Sequence, residues 1–247
     1  MKSFFEGLML SICFFTRIPA PYHVKTLSSQ TYKFLALTIP INGLILASVT
    51  ILFYHLLSFY ASEIYVGVLA SLFYLFMYGF LHLEAVADIT DAYYGGHSGK
   101  DVHKILKDPN VGALGAIGTF SFMIAKIAAL SYLLIEGYYL GIIAVLFISR
   151  LMAVLVIYGF DFHKESTFIQ SMKKPLDKKS MIIFVILSLI ILFGLNHLFI
   201  ILPALIITFL LKIWLMKYIG FLNGDGLGFI IEINELILLN ILIFIFL

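Results

Sequence analysis

The sequence predicts an all-α fold, a polytopic integral-membrane bundle of six to seven transmembrane helices with an amphipathic N-terminal segment. Three observations predict it. Of the 247 residues, 62% are hydrophobic and 12% are charged, about half the charge of an ordinary soluble domain. The mean hydropathy of +1.07 means more apolar surface than a fold in water could hide. Apolar windows of about 20 residues, the length needed to cross the hydrocarbon core, recur along the chain. The net charge of +2 gives no reason to expect a nucleic-acid partner. Cys13 is the only cysteine, which excludes an intrachain disulfide and a thiolate zinc site. With no repeat, low-complexity tract or domain break, residues 1–247 read as one membrane-embedded domain.

The N-terminal stretch resembles a signal peptide only superficially. Glu6 interrupts its apolar run, and Arg17, Pro19 and Pro21 end it without a small-x-small cleavage site. Phe4, Phe5, Leu8, Met9, Ile12 and Phe15 fall at helical spacing. That suits a retained amphipathic segment, lying on the membrane or tucked beneath the bundle. The spanning windows are 34–60, 65–91, 111–135, 138–160, 181–196, 198–216 and 226–247. Segment 181–196 is short, so it and 198–216 read either as two short helices or as a re-entrant hairpin.

Lysine and arginine orient the map. Lys2, Arg17, Lys25 and Lys33, then Lys100, Lys104 and Lys107, then Lys164, Lys173, Lys174, Lys178 and Lys179, then Lys217, all fall in loops of one side. The connections near Glu63, Glu136 and Asn196 carry none. The positive-inside rule makes the first side cytoplasmic, in a multi-pass protein of the cytoplasmic (inner) membrane with the lipid bilayer as its solvent.

The run Leu81-His-Leu-Glu-Ala-Val-Ala-Asp-Ile-Thr-Asp-Ala-Tyr-Tyr-Gly-Gly96 carries the first acidic cluster. On a helix Asp88 lies about 40° from Glu84 and Asp91 about 20° to the other side, so three carboxylates stack on one face. Such like charges persist when cations neutralise them, and hard oxygen donors suit Mg²⁺ or Mn²⁺ completed by substrate phosphates. The plainer alternative is a helix end that has left the membrane and solvates its acids. Three in register, with Ala85, Ala87 and Ala92 leaving room beside them, favour a site. His82 points to the opposite side and reads as a satisfied core or interface histidine.

Residues 99–108 read as a short amphipathic helix, with Val102, Ile105 and Leu106 on its apolar face and Lys100, Lys104 and Lys107 on the other. It is either an interfacial helix drawn to anionic lipids or an electropositive lid over a phosphate-bearing substrate. Asp108 either caps the following helix or adds a metal ligand. The second acidic cluster opens the last helix, where Asp225 is placed to cap it and Gly224, Gly226 and Gly228 allow a ligand close to the backbone. Glu232 at i+7 shares the face of Asp225, and Glu235 follows. Capping does not explain the two glutamates, and ionisable groups inside a span are functional candidates by default. Lys126 and Arg150 lie too deep to snorkel. They pair with the buried acids, grip substrate phosphates, or both. Two acidic clusters, a basic lid and buried cations together point to metal-assisted phosphoryl chemistry at the membrane surface.

These motifs, in this order, resemble the cobalamin synthase (adenosylcobinamide-GDP ribazoletransferase) family over nearly the whole chain. Phe15-Thr-Arg-Ile-Pro-Ala-Pro21 is similar to its F-x-T-R-[LI]-P-x-P, and residues 79–92 to its G-x-x-H-L-D-G-L-A-D-x-x-D-G. Lys107-Asp-Pro-Asn-Val-Gly112 is similar to R-D-S-x-x-G, Lys126 to a lysine of the family in the following span, Ser149-Arg150 to its S-R pair, and residues 224–235 to G-D-x-x-G-x-x-x-E-x-x-E. Glu84, Ala85 and Ala92 depart from that pattern, and residues 164–168 lack the family's A-R-x-x-G-L-G.

The resemblance implies joining of adenosylcobinamide-GDP to α-ribazole or its 5′-phosphate, with release of GMP and a need for Mg²⁺. It implies Glu84, Asp88 and Asp91 as metal ligands, Asp225 and Glu232 as completing or organising the catalytic site, and Arg150, Lys126, Lys104, Asp108 and Arg17 as substrate-binding residues. Whether the chain forms a homo-oligomer or a complex with other cobamide-assembly enzymes stays open. A CDP-alcohol phosphotransferase would want an Ala-Arg where Tyr93-Tyr94-Gly95-Gly96 stands. A prenyltransferase would want two aspartate-rich segments, and a cation-coupled transporter inverted repeats. None of these is present.

Overall fold

A computed structural model describes residues 2–19 and 27–245. Ala20, Pro21, Lys25 and the last two residues of the final window lie outside the described residues. The described chain is almost wholly helical, without a strand: α1 (Lys2–Phe15), α2 (Ser29–Leu57), α3 (Glu63–Met77), α4 (Leu81–His97), α5 (Val102–Ile105), α6 (Ala113–Ile135), α7 (Tyr139–Gly159), α8 (Thr167–Lys173), α9 (Lys178–Gly194), α10 (Ile201–Tyr218, after the 3-10 turn Leu198–Ile200) and α11 (Gly224–Ile245).

The arrangement is that of a multi-pass helical membrane bundle. Apolar on every side, α7 is buried on every side, as the absence of a polar face requires. It is flanked by α2 and α11, with α6 and α10 also in contact. Outer helices turn large apolar side chains outward, among them Ile182, Ile186, Leu187 and Ile190 of α9 and Leu202, Phe209 and Leu210 of α10. Such a surface is stable only against lipid.

Among the described residues five helices are long and apolar enough to cross a membrane: α2, α6, α7, α10 with its 3-10 lead-in, and α11. The α3–α4 pair raises the number to six. With 17 residues, α9 is shorter than the roughly 20 a full crossing takes. The expected single span 65–91 is corrected here. It breaks at Gly79 and Phe80, with φ of 73° and 58°, and its halves meet at 83°. Left-handed backbone is costly for phenylalanine, so the surroundings must enforce it. The Arg17 N–H donates to the Met77 carbonyl at 2.6 Å. A Cβ on Gly79 would lie 2.6 Å from Arg17 Nε. The chain just after α1 thus wedges into the break, and the redirected α4 runs between α6 and α11.

The N-terminal helix is tucked against the bundle, but by its small and polar face. Gly7 meets Phe34 and Leu35 of α2, Asn42 Nδ2 donates to Ser11 Oγ at 2.8 Å, and Thr31 Oγ1 donates to Glu6 Oε2 at 3.1 Å. Phe4, Phe5 and Phe14 face outward. The short amphipathic helix expected over 99–108 is helical only across α5. Its apolar side nonetheless packs as expected, with Ile105 on Gly95 and Val102 on Gly96.

Candidate active site

The acidic face of α4 serves two neighbours. Asp91 gives both oxygens to the start of α6, with Oδ2 accepting the Gly112 N–H at 2.6 Å and Oδ1 the Gly115 N–H at 2.7 Å. A carboxylate there satisfies amides that helical bonding leaves free and complements the positive end of the helix dipole. Gly112 and Gly115 stand close enough that any side chain would collide with Asp91. Glu84 instead faces α11, where it lines a cavity of about 190 Å³ with Asp225, His82, Ala85 and Gly228. Asp88 is half-buried between them, within electrostatic reach of Asp225, Glu84 and Asp91. The close approach of α4 to α11 depends on Gly228, where a Cβ would lie 2.8 Å from that of Ala85.

Asp225 is not the cap of α11. That part falls to Asn223, whose Oδ1 accepts the Gly226 N–H at 2.8 Å while its Nδ2 donates to Asp225 Oδ2 at 2.6 Å. Asp225 is thus held in place by Asn223 without being spent on the helix end.

The deeper charged residues form a closed cluster. Lys126 Nζ lies 2.6 Å from Glu232 Oε2 and 2.7 Å from Glu235 Oε1. Arg150 lies 2.8 Å from Glu235 Oε2 and donates to the Leu146 carbonyl at 2.9 Å and to Tyr74 Oη at 3.0 Å. Tyr74 in turn donates to Glu235 Oε1 at 2.5 Å. Lys126 also sits over the rings of Tyr74, Tyr78 and Phe122, with centroids 5.2, 5.1 and 5.9 Å away. Lys126, Glu232 and Glu235 have no exposed surface and Arg150 has 2%. Of the roles open to Lys126 and Arg150, the structure shows pairing with the acids. Glu232 lies in this cluster rather than on the cavity of Asp225.

His82 joins the two regions. It is buried, stacked on Tyr78 with centroids 6.0 Å apart, and lines the cavity of Glu84 and Asp225. Its Nδ1 stands 3.7 Å from Glu232 Oε1, and among the described residues both atoms lack a hydrogen-bond partner. The satisfied histidine read from the sequence is therefore corrected: its ring is packed but its Nδ1 is not bonded.

At the outer end, Asp108 neither caps α6, whose N-cap is Gly112, nor stands alone. Its Oδ1 accepts from the Asn110 N–H at 2.9 Å and from Asn110 Nδ2 at 2.8 Å, which holds its carboxyl below the usual aspartate range. Asp108, Lys100 and Asp91 line a second cavity of about 320 Å³. Lys104 is exposed beside it on α5, and Arg17 is exposed at the α3–α4 break.

A larger cavity of about 330 Å³ adjoins that of Glu84 and Asp225 and shares Phe168, Ile169 and Gly224 with it. His103, Lys107, His163, Glu165 and Phe221 also line it. Lys107 lies 2.9 Å from Glu165 Oε2, and this bond pulls the Glu165 carboxyl below its ordinary range. No sequence pattern marks this group, since its members come from α5 and the turn after it, from the segment between α7 and α8, and from the turn before α11. Asn223 does carry a sequence signal, since an asparagine before a Gly-Asp-Gly helix start is a recognisable cap, whereas nothing local marks Tyr74.

Residues 7–243 match the family described as cobalamin-5-phosphate synthase. The adenosylcobinamide-GDP ribazoletransferase of Clostridium botulinum strain Langeland is 28% identical, over 98% of this chain and 99% of its own. The protein of that name from Clostridium botulinum strain Kyoto is 30% identical, over 98% and 99%. The one from Treponema denticola is 28% identical, over 97% and 98%. No solved structure matches the chain.

Proposed function

The chain belongs to the cobalamin-5-phosphate synthase family, and from that premise we propose that it is an adenosylcobinamide-GDP ribazoletransferase. It joins adenosylcobinamide-GDP to α-ribazole, or to α-ribazole 5′-phosphate, and releases GMP. The observation that carries this reading is the meeting of Glu84 and Asp225, from two helices far apart in sequence, on one cavity at the lysine-bearing end. By the positive-inside rule that end faces the cytoplasm, where water-soluble nucleotides are at hand.

In the reaction a ribose hydroxyl oxygen bonds to the phosphorus next to cobinamide. The bond from that phosphorus to the GMP oxygen breaks, and GMP leaves with the electron pair. The hydroxyl proton goes to a carboxylate. Asp225 suits that task, being half-buried, held by Asn223 and beside Glu84. Lys100 and Lys104 lend the outer surface positive charge that draws anionic substrates in.

The donor set fits Mg²⁺, which takes one or two carboxylates and completes its shell with water and substrate phosphates. Among the described residues no group of three or more His, Cys, Asp or Glu side chains stands ready for a metal ion. A pair is what the magnesium pattern asks for. Glu84 and Asp88 would hold the ion, with Asp91 steadying α4 against α6. The bound ion would neutralise diphosphate charge. Lys126, Arg150, Glu232 and Glu235 tie α11, on which Asp225 stands, to α6 and α7, and do so without touching substrate.

The test is an assay of the detergent-solubilised chain with adenosylcobinamide-GDP, α-ribazole and Mg²⁺, separating GMP and cobamide by chromatography. Product that requires the metal and disappears in Asp88→Asn supports the reading. No product from folded wild-type protein overturns the substrate assignment.

A further inference from the structure

The cavity of about 330 Å³ beside the Glu84–Asp225 cavity has no part in the chemistry above. Three aromatic rings crowd its wall. His103 and His163 have centroids 5.1 Å apart, His103 and Phe221 5.5 Å, and His163 and Phe221 4.8 Å. They come from α5, from the segment between α7 and α8, and from the turn before α11, and polar contacts pin these pieces together. The His163 N–H donates to the Leu222 carbonyl at 2.7 Å. Gln170 Nε2 donates to the His163 carbonyl at 3.0 Å, Glu165 pairs with Lys107 at 2.9 Å, and His103 Nε2 stands 3.4 Å from the same carboxylate oxygen.

Rings gathered only for packing would close over one another. Here all three are partly exposed and border open space. The volume lies at the low end of small-molecule sites, enough for one nucleoside and far too little for a corrinoid macrocycle. Flat π-faces accept any nucleobase-like ring by stacking. The shared Phe168, Ile169 and Gly224 make the cavity continuous with the carboxylates, so a ribose and phosphate attached to such a ring would extend towards them.

Resting on the transferase reading, we propose that the cavity lined by Phe221, His163, His103 and Lys107 seats the heteroaromatic base of a nucleoside substrate, stacked on Phe221. Two substrates offer that chemistry: the guanosine of the donor and the ribosylated base of the acceptor.

The experiment measures kcat and KM for adenosylcobinamide-GDP and for α-ribazole with wild-type, Phe221→Ala and Phe221→Tyr chains, alongside calorimetric titration with GMP and with α-ribazole. Phe221→Ala is expected to raise KM for one substrate about tenfold, leaving kcat within about twofold, while Phe221→Tyr, which keeps the ring, restores it. A rise confined to adenosylcobinamide-GDP, with weaker GMP binding, places guanine in the cavity. A rise confined to α-ribazole places the acceptor base there. Unchanged KM for both substrates in a folded Phe221→Ala chain overturns the proposal, as does Phe221→Tyr behaving like Phe221→Ala. If wild type makes no product, the transferase reading fails and the titrations decide alone. Binding of GMP or α-ribazole that Phe221→Ala abolishes keeps the base seat, and no binding of either to wild type removes it.

Discussion

Replacing Lys126 with methionine keeps an unbranched stem of similar length and deletes the charge. In the native cluster its Nζ lies 2.6 Å from Glu232 and 2.7 Å from Glu235, with all three residues fully buried. At an effective dielectric of about 20, each contact is worth about 6 kcal/mol of attraction. Desolvation offsets much of that. After the substitution Glu235 retains Arg150 at 2.8 Å, but Glu232 is left with only His82 at 3.7 Å. Removing one partner of a buried pair costs about 3–5 kcal/mol, because the other charge stays buried and uncompensated. At roughly 2–4 °C per kcal/mol for a chain of this length, the unfolding midpoint should fall by about 6–20 °C. Trp214 fluorescence during heating in detergent would report it. Adding Glu232→Gln leaves one cation and one anion, Arg150 and Glu235, so the double variant should regain more than half of the loss. A Lys126→Met midpoint equal to wild type, or a double variant less stable than the single, would refute the reasoning.

Asp91→Ala should cost about 2–3 kcal/mol, the loss of charge-assisted bonds to two helix-end amides. Hydrogen exchange should rise at residues 112–118, and unchanged exchange there would count against the latch. Gly228→Leu puts a side chain where a Cβ alone comes within 2.8 Å of Ala85. It should force α4 from α11, destabilise by about 1–3 kcal/mol and suppress GMP release, and a fully active variant would contradict that dependence. The Lys107–Glu165 contact lowers the Glu165 carboxyl. Its contribution is therefore complete above the ordinary glutamate value of about 4.3 and fades as pH falls through the depressed folded value. Limited proteolysis between α7 and α8 should then be slow at pH 7 and quicken only in strong acid, and rates that rise already at pH 6 would rule the contact out as the anchor.

Much of this was legible in the sequence, because period and composition report on burial. The apolar windows located the long helices, and the acids of α4 and of the first half of α11 stood out as charges in apolar helices. What escaped depends on backbone direction or on partners distant in sequence. Hydropathy is blind to φ, so window 65–91 gave no sign of the left-handed pair Gly79–Phe80 that bends it. Helical spacing put Glu84, Asp88 and Asp91 on one face, but could not tell that α6 takes up Asp91 and α11 meets Glu84. Asp225 had the residue type of a cap, yet Asn223 sits at the better position. The depth of Lys126 and Arg150 allowed both pairing and phosphate binding, with a slight lean to phosphate for Arg150, until Glu232 and Glu235 were placed beside them. The His103–His163–Phe221 group joins α5 to two segments distant in sequence, and no local pattern could have assembled it.

The most direct test of where the transfer chemistry resides is the turnover of Asp225→Asn. Asparagine keeps an oxygen for Asn223 Nδ2 while removing the charge and the capacity to take a proton. The account predicts GMP release from adenosylcobinamide-GDP and α-ribazole reduced by about 100-fold or more, with a thermal midpoint close to wild type. Near-wild-type turnover by a folded Asp225→Asn chain would contradict the assignment of the chemistry to the Glu84–Asp225 cavity.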